Sequence, residues 1–94
     1  MRIQTQDYLE DLALECYEQA RSRADSDVES ARKFFAMAWG FYTHLENTEF
    51  MRLCERFLEN TGLNKTRIKG YKRYGFHNAG ICIGVYEYFK QRPE

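Results

Sequence analysis

Apolar residues recur at helical spacing through the first two thirds of the chain. Near the N-terminus they fall three and four residues apart, and mostly acidic residues occupy the opposite side. This pattern predicts a first helix from about Gln6 to Ala24, whose acidic start and basic end suit the helix macrodipole. The apolar face of this helix comprises Leu9, Leu12, Ala13, Cys16, Tyr17 and Ala20.

A second helix is predicted to begin at the segment Ser26-Asp-Val-Glu29, which has the form of a capping box. It carries the sequence FFAMAWGFY, apolar on every side, which is typical of a helix at the centre of a core or of a dimer seam. Asn47 and Thr48 can cap a third helix, although one long helix through Asn60 fits almost as well. The inward face of this third segment comprises Phe50, Leu53, Cys54, Phe57 and Leu58.

Thr61-Gly62 ends that segment, and Asn64 can cap a fourth helix from Lys65 to about Tyr74, with Ile68 and Tyr71 inward. The remaining segment leaves two alternatives open. With 77–80 as a turn, ICIGVYEYF can pair with 73–76 as a β-hairpin, because it is rich in β-branched and aromatic residues. Alternatively, a fifth helix capped by Asn78 would bury Ile81, Val85, Tyr88 and Phe89.

These patterns predict a mainly α fold: a helical hairpin, a helix-turn-helix-like pair, and a short C-terminal β-hairpin or a fifth helix. No Gly/Ser-rich linker interrupts the chain, so residues 1–94 are expected to form one small domain. No apolar run approaches the ~20 residues that a membrane helix needs, and the N-terminal segment is too acidic for a signal peptide. We therefore expect a cytoplasmic protein without membrane association.

Charge divides the neutral chain into two unlike parts. Residues 1–62 contain 7 Lys/Arg and 12 Asp/Glu, whereas residues 63–94 contain 7 and 2. This density of cations just after Gly62 favours a polyanion or an acidic protein surface as partner. The fifteen aromatic residues exceed what so small a core readily covers, which favours a homodimer.

The segment FLENTGLNKTRIKGYKR, within Cys54 to Arg73, resembles the helix-turn-helix of DNA-binding regulators. Its apolar positions and turn glycine match that superfamily, except that Leu58 stands where a small alanine is usual. The resemblance implies a transcription regulator that binds duplex DNA through its second helix. The nucleic-acid-binding residues would be Asn64, Lys65, Thr66, Arg67, Lys69, Lys72 and Arg73.

A second hypothesis is a protein-binding adaptor or inhibitor, of the type that phages and mobile elements encode, docking on a larger partner. Tyrosine and arginine are enriched at interface hot spots, and tyrosines lie beside the basic segment. The protein-interface residues would be Tyr71, Tyr74, Tyr86 and Tyr88.

We expect no enzyme, cofactor or metal. The segment from Asn64 to Gly80 is similar to the closing segment of GNAT-type acetyltransferases, but the Gly-rich pyrophosphate loop is missing from residues 1–63. Cys16, Cys54 and Cys82 are widely spaced and form no Cys-x-x-Cys pair, so three free thiols are expected.

Overall fold

The structure, a computed structural model, describes residues 5–91, and the side chains of residues 7–88. Four α-helices account for nearly all of this range, and it contains no strand. The predicted mainly α fold is confirmed. The helices are α1 (Thr5–Arg23), α2 (Val28–His44), α3 (Thr48–Asn60) and α4 (Lys65–Gln91).

The helices begin at short polar caps. The N-cap of α2 is Asp27, whose carboxylate accepts from the backbone N–H of Ser30 at 3.1 Å, one residue later than the capping box predicts. Asn47 caps α3 through the N–H of Phe50 at 3.2 Å, and Asn64 caps α4 through that of Arg67 at 2.9 Å. Aspartate displaces Ser26 because its carboxylate is at least as good an acceptor.

The break between α2 and α3 is a Schellman motif. The N–H of Asn47 donates to the carbonyl of Tyr42 at 2.9 Å, and that of Glu46 donates to Thr43 at 3.1 Å. Glu46 occupies the left-handed position of this motif with φ 58°, where glycine is usual. The division into two helices is therefore confirmed, and its signal in the sequence is weak because the usual glycine is missing.

α2 lies at the centre of the fold, since each of the other helices packs against it. Its buried aromatic residues join apolar residues of α1 and α3, with Phe35 stacked on Phe57 at 4.0 Å between ring centroids. Tyr42 stacks on Phe50 at 4.7 Å. The predicted core faces of α1 and α2 are confirmed, whereas Leu53 of α3 is 36% exposed.

α2 and α4 cross with their backbones in contact. A Cβ atom added at Gly75 would lie 1.8 Å from the carbonyl oxygen of Ala36, and one added at Gly40 would lie 2.3 Å from that of Gly75. Ala36 and Ala79 are fully buried at the same crossing. Small residues four apart on both helices thus allow a close approach that larger side chains would prevent.

α4 continues without a break through the segment predicted to leave the helix. Neither the β-hairpin nor a separate fifth helix forms, because Gly75 and Ala79 pack on α2 and hold residues 73–80 helical. The buried set predicted for a fifth helix is also wrong: Ile81, Val85 and Tyr88 are 51%, 50% and 60% exposed. Phe89 lies outside the described side chains. Ile83 faces the core instead.

Candidate interaction surface of helix α4

The first half of α4 presents a row of cations to solvent. Lys65, Lys69 and Arg73 are all exposed and follow one another at intervals of four residues, which places them on one side of the helix. Thr66 is exposed beside them. We call these four residues the basic row.

Arg67 lies on the other flank of the helix, at a cleft between α4 and α2. The cleft has a volume of about 350 Å³, and Gly70, Tyr71 and Tyr74 line it together with Arg67 and Lys33. Its lining is mostly apolar, so it suits an aromatic or apolar group next to two cations. Lys33 was not predicted, because nothing in the sequence connects it with residues so far along the chain.

Two of the predicted nucleic-acid-binding residues have structural contacts. The Nζ of Lys72 lies 3.2 Å from Oε2 of Glu55 and 5.2 Å from the centre of the Trp39 ring, while Trp39 Nε1 donates to Glu55 Oε1 at 3.0 Å. This network joins α2, α3 and α4. Asn64 has its side-chain oxygen engaged as the N-cap of α4. Lys72 is thus partly neutralised, unlike the basic row.

The electrostatics at the start of α4 are unusual for a helix. The first turn contains no acidic residue and begins with Lys65, although the N-terminus of a helix carries a partial positive charge. Cations there repel the macrodipole, and a bound anion would relieve this repulsion.

Of the four tyrosines predicted as a protein interface, two pack within the fold and two are exposed. Tyr86 stacks on Tyr8 of α1 with 4.1 Å between ring centroids, and Tyr71 is half-buried at the cleft. Tyr74 and Tyr88 remain 43% and 60% exposed. A surface role therefore suits the latter two best.

α3 and α4 both pack on α2 and make few contacts with each other. The Nη2 of Arg32 donates to the carbonyl of Thr61 at 2.6 Å and its Nε donates to the Thr61 hydroxyl at 3.1 Å, which fastens the end of α3 to α2. Gly62 follows with φ 82°, as predicted for the turn. The mutual packing of two helices that the helix-turn-helix resemblance implies is thus replaced by packing on a shared third helix.

The basic row is not covered by the acidic face of α1. The stack of Tyr8 on Tyr86 places the start of α1 beside the far, C-terminal part of α4. Asp7 and Asp11 of α1 are exposed. The acidic start of α1 and the basic row therefore lie near opposite ends of α4.

Possible metal ligands and the acidity of two thiols are the features of the described residues that bear on catalysis. These residues contain no group of three His, Cys, Asp or Glu side chains that could hold a metal ion. Burial, with a smaller contribution from neighbouring Cys82, raises the pKa of the Cys16 thiol to about 11, and burial raises that of Cys54 to about 12. Both thiols are thus poor nucleophiles at neutral pH.

None of the helices in residues 5–91 is long and apolar enough to cross a membrane. Comparison of the chain with protein families, with curated proteins and with solved structures gives no match. The case for a function therefore depends on the surface of α4.

Proposed function

We propose that this protein is a small non-enzymatic regulator that binds nucleic acid through the first half of α4 and acts in the cytoplasm. The observation that carries the proposal is the basic row, in which three exposed cations follow one side of α4. A helix that enters the major groove must offer its polar side chains in this way.

The chemistry of the helix start supports an anionic ligand. Phosphate groups bind well where free backbone N–H groups, the helix dipole and lysine or arginine side chains coincide. Lys65, Lys69 and Arg73 have no carboxylate within their own helical turns, since residues 65–86 contain no Asp or Glu. The cations of the row would contact phosphates, with Thr66 nearest to base edges.

The test is a titration of fluorescently labelled random-sequence duplex DNA at several salt concentrations. We expect an affinity that falls steeply with salt, because each phosphate contact releases counterions. The double variant Lys69→Ala/Arg73→Ala should reduce the slope of log K against log salt by about 2, since each lost contact is worth about 0.9.

A matched control is available on α3. Arg52 and Arg56 are exposed and also four residues apart, so Arg52→Ala/Arg56→Ala removes the same charge with the same spacing. This variant should bind as the wild type does. Equal losses in the two double variants would mean that net charge alone drives binding, and absence of binding at low salt would overturn the proposal.

A second candidate is the adaptor or inhibitor that docks on an acidic protein surface. It is favoured by the exposed Tyr74 and by the cleft in which Arg67 and Lys33 flank an apolar lining. An aromatic or apolar side chain flanked by carboxylates would suit that cleft. This candidate would be favoured if the protein does not bind DNA in the titration but is retained by an acidic protein partner.

A further inference from the structure

Exposed residues recur at an interval of seven along the outer side of α4. Arg67, Tyr74, Ile81 and Tyr88 follow one another at this interval, and Gly70, His77 and Gly84 fall three residues after the first three of them. All seven residues are exposed. Alternating steps of three and four residues are the spacing of a seam between two helices. We call these seven residues the outer seam.

We propose that the outer seam pairs with the outer seam of a second copy of this chain in antiparallel orientation. In one register, Tyr74 lies over Gly84 of the second copy, Tyr88 lies over its Gly70, and Ile81 lies beside its His77. Each of the two tyrosines then meets a glycine, a position without a side chain. A parallel pair would instead set tyrosine against tyrosine and arginine against arginine.

The space that this register needs is present. A Cβ atom added at Gly70 or Gly84 would meet nothing within 4 Å, so neither glycine is explained by packing within the monomer. Both also weaken the helix relative to alanine. Gly70 forms part of the cleft with Lys33 and Tyr71, and Tyr88 of the second copy would enter that cleft.

Charge favours a second copy as the occupant. Antiparallel pairing sets the basic first half of α4 against the C-terminal half of the other α4. The acidic start of α1, with exposed Asp7 and Asp11, lies beside that half because Tyr8 stacks on Tyr86. The basic row of each copy thus approaches the end of the other copy at which the acidic start of α1 lies.

The dimer would also duplicate the basic row. In this register the two Lys69 residues are separated by about 20 residues of helix, or about 30 Å. Successive major grooves on one face of duplex DNA are about 34 Å apart. This consequence rests on the proposed function, whereas the pairing itself does not.

The test measures the molar mass of the purified full chain by light scattering over a range of concentrations, without DNA. We expect a dimer for the wild type and, for Gly84→Leu, a dissociation constant raised by about tenfold or more, because leucine occupies the space for Tyr74. If the chains associated through apolar surface without this register, the added leucine would lower the dissociation constant instead. A rise in the dissociation constant therefore supports the register, and a fall contradicts it.

Charge variants give an independent check. Ile81→Glu should yield a monomer, whereas Leu14→Glu, at an exposed apolar position of α1, should leave the dimer intact. Circular dichroism of each variant reports whether the helices are retained. A wild-type monomer at high micromolar concentration, or a Gly84→Leu variant that associates more tightly, would overturn the pairing. DNA binding by a monomer would leave the proposed function standing and remove only the dimer.

Discussion

Single residues decide how closely the helices of this protein approach. Gly75 is the clearest case, because its missing side chain lets the carbonyl of Ala36 come within 1.8 Å of where a Cβ atom would stand. Gly80 lies five residues further along the same helix, and a Cβ atom added there would meet only His44 Nε2 at 3.8 Å. Both glycines thus lie within α4, but only Gly75 is in close contact with the backbone of another helix.

This contrast predicts effects of opposite sign from the same substitution. Gly75→Ala should lower the free energy of unfolding by about 3 kcal/mol or more, since α2 and α4 must move apart and leave gaps in the core. Gly80→Ala should raise it by up to about 1 kcal/mol, through better helix propensity. Urea unfolding followed by circular dichroism measures both, and equal effects would contradict the backbone contact.

At the scale of elements, the junction between α2 and α3 combines a well-formed hydrogen-bond pattern with an unfavourable residue. Glu46 is held with φ 58° by the Schellman bonds of its neighbours, and Asn47 then starts α3. A non-glycine residue in this conformation costs about 1 kcal/mol. The bend is therefore imposed by the packing of both helices.

Glu46→Gly should therefore raise the free energy of unfolding by about 0.5 to 1 kcal/mol, because glycine adopts the left-handed conformation without strain. The same change at Glu49, an exposed residue in the first turn of α3, should lower it by about 0.5 to 1 kcal/mol. Thermal or urea unfolding of the two variants provides the comparison. Destabilisation by Glu46→Gly would mean that the glutamate side chain itself holds the junction.

The helices α1 to α3 and much of the core were predictable from the sequence, whereas the second half of α4 was not. Spacing of leucine, cysteine and aromatic residues located α1 to α3, since these helices bury ordinary apolar side chains. The continuation of α4 was not predictable in this way, because Gly75 and Ala79 form its buried face while Ile81 and Val85 face outward. The spacing of apolar side chains alone therefore predicts the wrong buried face for this part of α4.

The candidate site was predictable only in part, for a related reason. The density of cations pointed to 65–73, and this segment is exposed except at Lys72 and the half-buried Ile68 and Tyr71. The partners that modify it come from other helices: Glu55 and Trp39 bind Lys72, and Lys33 joins the cleft. Contacts between distant parts of the chain leave no mark in local sequence.

At the scale of the whole molecule, two thiols and one phenol lose their protons less readily in the folded protein than in the unfolded chain. Burial raises the pKa of Cys16 to about 11, and those of Cys54 and Tyr42 to about 12. In the unfolded chain, thiols ionise near pH 9 and the phenol near pH 10. Folding thus keeps these groups neutral over a range of pH in which the unfolded chain releases their protons.

The free energy of unfolding should therefore be constant with respect to these groups up to about pH 8 and fall steadily above about pH 9. The decline should continue until the folded-state pKa values near 11 and 12 are passed. Urea unfolding at a series of pH values under reducing conditions measures it. Cys54→Ala should make the decline shallower, and an unchanged slope in this variant would show that Cys54 does not contribute.

The backbone crossing of α2 and α4 also limits how this sequence can change over evolutionary time. Ala36, Gly40, Gly75 and Ala79 admit no larger side chain without separating the two helices. Gly40 and Gly75 are therefore restricted to glycine, and Ala36 and Ala79 to glycine or alanine, whereas the exposed positions of α4 can change with the partner. Two pairs of small residues, each pair four apart and at a fixed distance along the chain, are the fingerprint by which distant homologues would be recognised.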